Sequence, residues 1–179
     1  MSKKDFEKFL NEKARNAEPL VAVDWNARKQ EWLKSLQEFY EEVECWLKEY
    51  IAAGKISREQ GEVTIEEDYI GTYKAPTRVF TIGVDRVRLR PIGTTLIGAR
   101  GRVDMEGPKG AVKFILTGKH SNGVRIFISE DSPGKSQVPA KPQHEPPEEW
   151  VWKIATPPPK VQFINLNSEA FLNAFMEVV

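Results

Sequence analysis

The chain has 179 residues, 40% of them apolar and 29% charged, a length and composition that suit one domain with its own core. Its 26 basic and 26 acidic residues cancel, so no overall field recruits nucleic acid or anionic lipid, and an electrostatic partner must be met by a local patch. Cys45 is the only cysteine, which excludes an intramolecular disulfide and every multi-cysteine metal site.

Ser2 caps a short first helix, with Asp5 three residues later and Phe6, Phe9 and Leu10 as its apolar stripe. This charged opening lacks the apolar run of a secretory signal, and no stretch approaches the roughly 18 apolar residues of a spanning helix. The expectation is a cytoplasmic protein without membrane contact. Asn16 to Val23 interrupts the pattern before Asp24 caps a long helix that runs to Gly54, a residue suited to the position after a helix end. In it Trp32, Leu36, Phe39, Val43, Trp46 and Tyr50 recur at spacings of four and three, widened by Leu33, Tyr40, Leu47 and Ile51. The stripe covers fewer than three full heptads, so packing on a sheet is expected rather than a coiled coil.

From Glu62 the apolar period changes to two, and Gly, Pro and Asn punctuate short runs. Strands are expected near 62–70, 72–82, 85–91, 94–106, 110–118, 123–129, 149–155 and 160–165. The connections at 83–84, 107–110 and 119–123 are of hairpin length and imply an antiparallel meander. Residues 131–148 read as a mobile Pro-rich loop containing His144. Trp150, Trp152 and Ile154 then alternate as a strand face, Pro157 to Pro159 end it, and Asn167 caps a last helix with Phe171, Leu172, Phe175, Met176 and Val179 on one side. The expected fold is α+β: a curved antiparallel β-meander packed on a long amphipathic helix, with short N- and C-terminal helices. It forms a single domain over 1–179, made of a helical segment 1–54, a meander 62–129, the loop, and the closing strands and helix 149–179.

Catalytic motifs fail one by one. His120 and His144 fall in loops, and Cys45 lies on the helix face opposite the stripe, so no nucleophile, base and orienter assemble. Gly93 to Gly98 imitates a phosphate loop, but Ala99-Arg100 stands where lysine and a hydroxyl are needed, and strand pattern follows. Gly98-Ala99-Arg100-Gly101 and Gly107-Pro108-Lys109-Gly110 resemble the backbone-gripping loop of KH domains, yet both lie among strands where that family has helices. Asp104 and Glu106 share a strand face and with Asp85 or Glu66 could hold a metal for phosphodiester cleavage. If 107–110 is the hairpin loop, however, Asp104 faces Lys113 and Glu106 faces Ala111, which is ordinary cross-strand charge pairing. No catalytic residue, metal or cofactor is assigned.

One face is unusual. Arg86, Arg88 and Arg90 alternate with Val87 and Leu89, so three guanidinium groups leave the sheet opposite the core side. Hairpin registers add Arg102, Lys113 and Arg125 to that face, with Ile115 and Phe127 as an apolar centre, and put Val103, Met105, Val112, Phe114, Leu116, Val124, Ile126 and Ile128 on the core side. Either a helix covers the arginines and their heads pair with glutamates, or the face binds an acidic partner. The leading functional expectation is a non-enzymatic interaction protein that recognises a macromolecule, an acidic protein favoured over nucleic acid. A nucleic-acid-binding protein is the second reading and a metal-dependent nuclease the third.

Overall fold

The computed structural model describes residues 23–94, 99–121 and 149–179. The expected helix at Ser2, the strand 123–129 with Val124, Ile126 and Ile128, and the loop 131–148 lie outside them. The fold is α+β, and the described residues form one seven-stranded antiparallel sheet and two helices.

Helix α1 (Trp25–Ala52) starts where Asp24 accepts a hydrogen bond from the Ala27 N–H at 2.9 Å. It ends at Ala53, and Gly54 follows at φ +70, a left-handed conformation that glycine adopts without strain. Trp32, Leu36, Phe39, Tyr40, Val43 and Leu47 are buried, and Leu33, Trp46 and Ile51 pack at the margin. Tyr50 departs from the expected stripe and is exposed, while Ile51 beside it keeps contact with the cluster.

The strands are β1 (Ser57–Glu67), β2 (Gly71–Ile82), β3 (Asp85–Gly93), β4 (Gly101–Gly107), β5 (Gly110–Gly118), β6 (Trp150–Ala155) and β7 (Phe163–Asn165), and each lies beside its neighbours in the chain. Several boundaries differ from expectation by a few residues, and the two largest differences are strand starts. β1 begins five residues before Glu62, because the polar run Ser57 to Gly61 carries no apolar alternation yet pairs along β2 from Thr81 to Thr77. β4 begins at Gly101 rather than 94. A Cβ at Gly101 would lie 2.1 Å from Trp32 Cζ3, so the helix indole packs straight onto bare backbone there.

β2 changes its buried side along its length. Tyr73 and Ala75 are buried from one set of alternate positions, and Arg78 and Phe80 from the other. The switch falls at Thr77–Arg78, where pairing with β3 begins. Tyr40 reaches this point, its hydroxyl 2.9 Å from the Pro76 carbonyl and 3.4 Å from that of Leu89. The Arg78 guanidinium lies 4.7 Å above the same ring and donates to Glu44 of α1 at 2.7 Å, so an otherwise buried cation has both an aromatic face and a carboxylate. Helix α2 (Ser168–Val178) is capped by Asn167, which accepts from the Ala170 N–H at 2.8 Å. Its Phe171 meets Trp46 at 5.4 Å and Phe114 at 6.0 Å, so both helices share one core with the sheet.

Candidate interaction face

The alternation in β3 separates two chemistries. Val87 and Leu89 are fully buried, Arg86 and Arg88 are exposed, and Arg90 is half-exposed. The register extends the arginine face across the sheet. Arg88 lies opposite Glu106, Arg90 opposite Asp104, Asp104 opposite Lys113, and Arg102 opposite Ile115. The hairpin at 107–110 therefore has the pairing that its length implies.

Most of these cations have a carboxylate on the same face. Arg102 holds Asp104 in a two-pronged contact, Nε to Oδ1 and Nη2 to Oδ2, each at 2.6 Å. Asp104 is buried, and its hydrogen bonds raise the Arg102 pKa above its ordinary value against the opposing effect of burial. Arg90 places Nε and Nη2 on one oxygen of Glu106, at 3.1 and 2.9 Å. Arg86 meets Glu59 at 3.0 Å with both side chains largely in solvent, a contact worth little. Arg88 and Lys113 are exposed and have no ion pair among the described residues. Arg125 and Phe127 lie outside the described residues.

Ile115, expected at the apolar centre of this face, is buried, as is its cross-strand neighbour Lys153. The Lys153 ammonium donates to the carbonyls of Lys119 at 2.6 Å and Ser121 at 2.7 Å, which fastens the turn after β5 to β6. Sequence reading passed over Lys153, since a lysine between Trp152 and Ile154 looks like the solvent-facing member of an alternating strand.

The other carboxylates and nucleophile candidates do not form a reaction centre. Among the described residues no group of three or more His, Cys, Asp or Glu gathers as a metal site. Asp104 and Glu106 face arginines. Cys45 and His120 are exposed, on α1 and in the turn after β5 respectively, and His144 lies outside the described residues. A second polar cluster escaped the sequence. Glu67 accepts from the Tyr73 hydroxyl at 2.6 Å and from the Thr94 N–H and hydroxyl at 2.8 and 3.0 Å, while Arg28 of α1 donates to the Thr94 carbonyl at 2.9 Å. Gly93, at φ +136, lets the chain pass there, since a Cβ would lie 2.9 Å from the Glu67 carboxyl carbon. Burial and then the Glu67 hydrogen bond push the Tyr73 hydroxyl well above the usual phenol range. Most of its polar atoms are spent on one another, although Arg28 Nε is buried without a hydrogen-bond partner among the described residues, and the cluster joins α1, β1, β2 and the end of β3. Its members, from Arg28 to Thr94, spread over 66 residues of sequence, and no short motif marks it.

The chain matches no family model, no curated protein and no solved structure. No described helix is long and apolar enough to cross a membrane.

Proposed function

We propose that the chain is a non-enzymatic interaction module that docks an acidic surface of a partner protein on the arginine face of its sheet. The observation that carries this reading is the charge pattern of that face. Arg88 and Lys113 are free to accept a partner's carboxylates, while Asp104 and Glu106, held by Arg102 and Arg90, stand between them. Such an alternating pattern suits the mixed charges of a protein surface, which has to match both signs in register. It suits a phosphate backbone poorly, because the fixed carboxylates would sit against a continuous line of negative charge.

The two readings separate by salt. A duplex oligonucleotide that used only Arg88 and Lys113 would bind with a log–log salt slope of about −1.8, whereas recruitment of all five described cations would steepen it to about −4.5. We expect at most the shallow slope, with negligible duplex affinity near physiological salt. The partner is sought by in-cell cross-linking of wild type and of the double variant Arg88→Gln, Lys113→Gln. A protein cross-linked at this face in wild type and lost in the folded double variant supports the reading. A steep slope that becomes shallower by about 1.8 in the double variant replaces it with nucleic-acid binding.

A further inference from the structure

A cavity of about 780 Å³ lies where β6 parts from β5. Its lining comes from both sides of the sheet: Lys113 and Ile115 from the arginine face, Val112 and Ile154 from the core face, with Pro158 and, on α2, Ala174 closing it. That volume is in the range of small-molecule sites, and the walls are mainly apolar.

The cavity also contains an unfinished rung of the sheet. Gly107 and Gly110 oppose each other across a two-residue turn, and a pair in that position must exchange both backbone hydrogen bonds. Alternation then directs the N–H and C=O of Val112 and Phe114 toward β4, and those of Ala111 and Lys113 away from it. Two bonds beyond the strands agree: the Arg100 N–H reaches the Leu116 carbonyl at 2.7 Å on the β4 side, and the Lys119 N–H reaches the Glu149 carbonyl at 3.0 Å on the β6 side. Lys113 is met by Ala155, the last residue of β6. Thr156 then turns off, its N–H donating to the Gln162 carbonyl at 2.9 Å. Ala111 is left with a donor and an acceptor aimed past the edge, with no strand opposite and no other hydrogen bond among the described residues.

The length of this gap selects the occupant. An added peptide strand needs several consecutive rungs, and here β6 already occupies the next one. One residue's N–H and C=O instead suit a single planar group that carries an acceptor beside a donor. We propose that this cavity binds a small molecule with an apolar body and one such group, a primary amide, a lactam or an amino-substituted heterocycle, held by the backbone of Ala111. The proposal does not rest on the docking reading above, although the two places adjoin: Lys113 and Arg102 of the arginine face also line the cavity.

Octanamide and methyl octanoate are the probes, equal in apolar chain length but with a donor only in the amide. Binding is followed by titration of the backbone amide resonances of the full chain. Octanamide should bind with a dissociation constant at or below roughly 1 mM, as expected for about ten non-hydrogen atoms at modest efficiency. The ester should be at least about tenfold weaker, a difference that one neutral hydrogen bond can supply. The Ala111 amide should be among the most shifted resonances. Ala111→Pro removes the N–H on the unpaired side, where proline is tolerated in a strand, and should weaken both probes through their shared carbonyl acceptor while the amide keeps its preference through the carbonyl of residue 111. Ala170→Leu fills the cavity from α2 and should weaken both probes, and it serves if the proline variant does not fold. Equal affinity for the two probes, no binding of octanamide at about 10 mM, or an unmoved Ala111 resonance under saturating octanamide overturns the proposal.

Discussion

Tyr40 is the residue on which most of the central geometry converges. It is fully buried, its hydroxyl lies at the point where β2 leaves β3, and the Arg78 cation covers its ring. Burial pushes its hydroxyl far above the ordinary phenol value, with Arg78 opposing. Because the folded value lies above the unfolded one, the stability that the neutral phenol contributes is complete below about pH 10 and is lost as pH rises from there toward the folded value. We therefore expect the urea midpoint to fall more steeply between about pH 9 and pH 11 in wild type than in Tyr40→Phe. A parallel decline in the two proteins would show that Tyr40 ionises no harder when folded. The tryptophans of α1 divide similarly. Trp32 is buried against Gly101, so Trp32→Ala should cost about 3–5 kcal/mol. Trp46 is only half-buried against Phe171, and its truncation should cost less, about 1–3 kcal/mol. Denaturant titration of the two variants checks the order.

At the scale of elements, Glu44 is the ionic link between helix and sheet. It receives Arg78 at 2.7 Å and also pairs with Arg58 of β1, and the Arg78 side chain is only 6% exposed. Removing the carboxylate leaves a buried guanidinium to the Tyr40 ring and a backbone carbonyl. Glu44→Gln should destabilise by about 2–4 kcal/mol, below the cost for a fully buried pair because Glu44 is itself partly wet. Glu44→Gln combined with Arg78→Met should recover much of that loss, and a double variant no more stable than the single would show that the ion pair was not the cause. Elements were also where the sequence was most readable. Asp24 and Asn167 announce both described helices, because a capping side chain acts within three residues of itself. The turn Pro108-Lys109 fixes the register of β4 on β5 for the same reason of short range. The start of β1 was illegible, since Ser57 to Gly61 pair through backbone alone and carry no apolar signal. Glu67, Tyr73 and Thr94 were illegible as a cluster, and the cavity beside Ala111 exists only because two strands diverge.

Across the whole molecule β3 separates two chemistries. The main core lies on the side that carries Val87, Leu89 and Phe114, and the arginines of β3 occupy the other, where Asp104, Ile115 and Lys153 are buried further along the sheet. The ion pairs of these arginines are largely solvated, so Arg86→Gln, Arg88→Gln and Arg90→Gln together should shift stability by no more than about 1 kcal/mol per ion pair lost, and leave the near-ultraviolet dichroism unchanged. Unfolding of this triple variant would mean that the face is structural and would remove the docking proposal. That Arg86, Arg88, Arg90, Arg102 and Lys113 share one side was legible from period two and the hairpin registers, whereas Arg125 and Phe127 lie outside the described residues. What the cations pair with was not legible, because Arg102 reaches Asp104 two residues along its own strand while Asp104 stands opposite Lys113.

The order of the strands carries a further consequence. Among the described residues the sheet is laid down in chain order with β1 and β7 unpaired to each other, which leaves two open borders, and an open border is a template on which other chains can stack. The two borders are poor templates for different reasons. β7 is three residues long, too short to seed a ladder, and β1 presents Arg58, Glu59, Glu62 and Glu66 along an exposed polar run with a glycine at its centre. Crowding at high concentration should accordingly drive this protein toward fibrils only after charge on β1 is removed: Glu59→Val with Glu62→Val should shorten the lag of thioflavin-detected aggregation well before it lowers the unfolding midpoint.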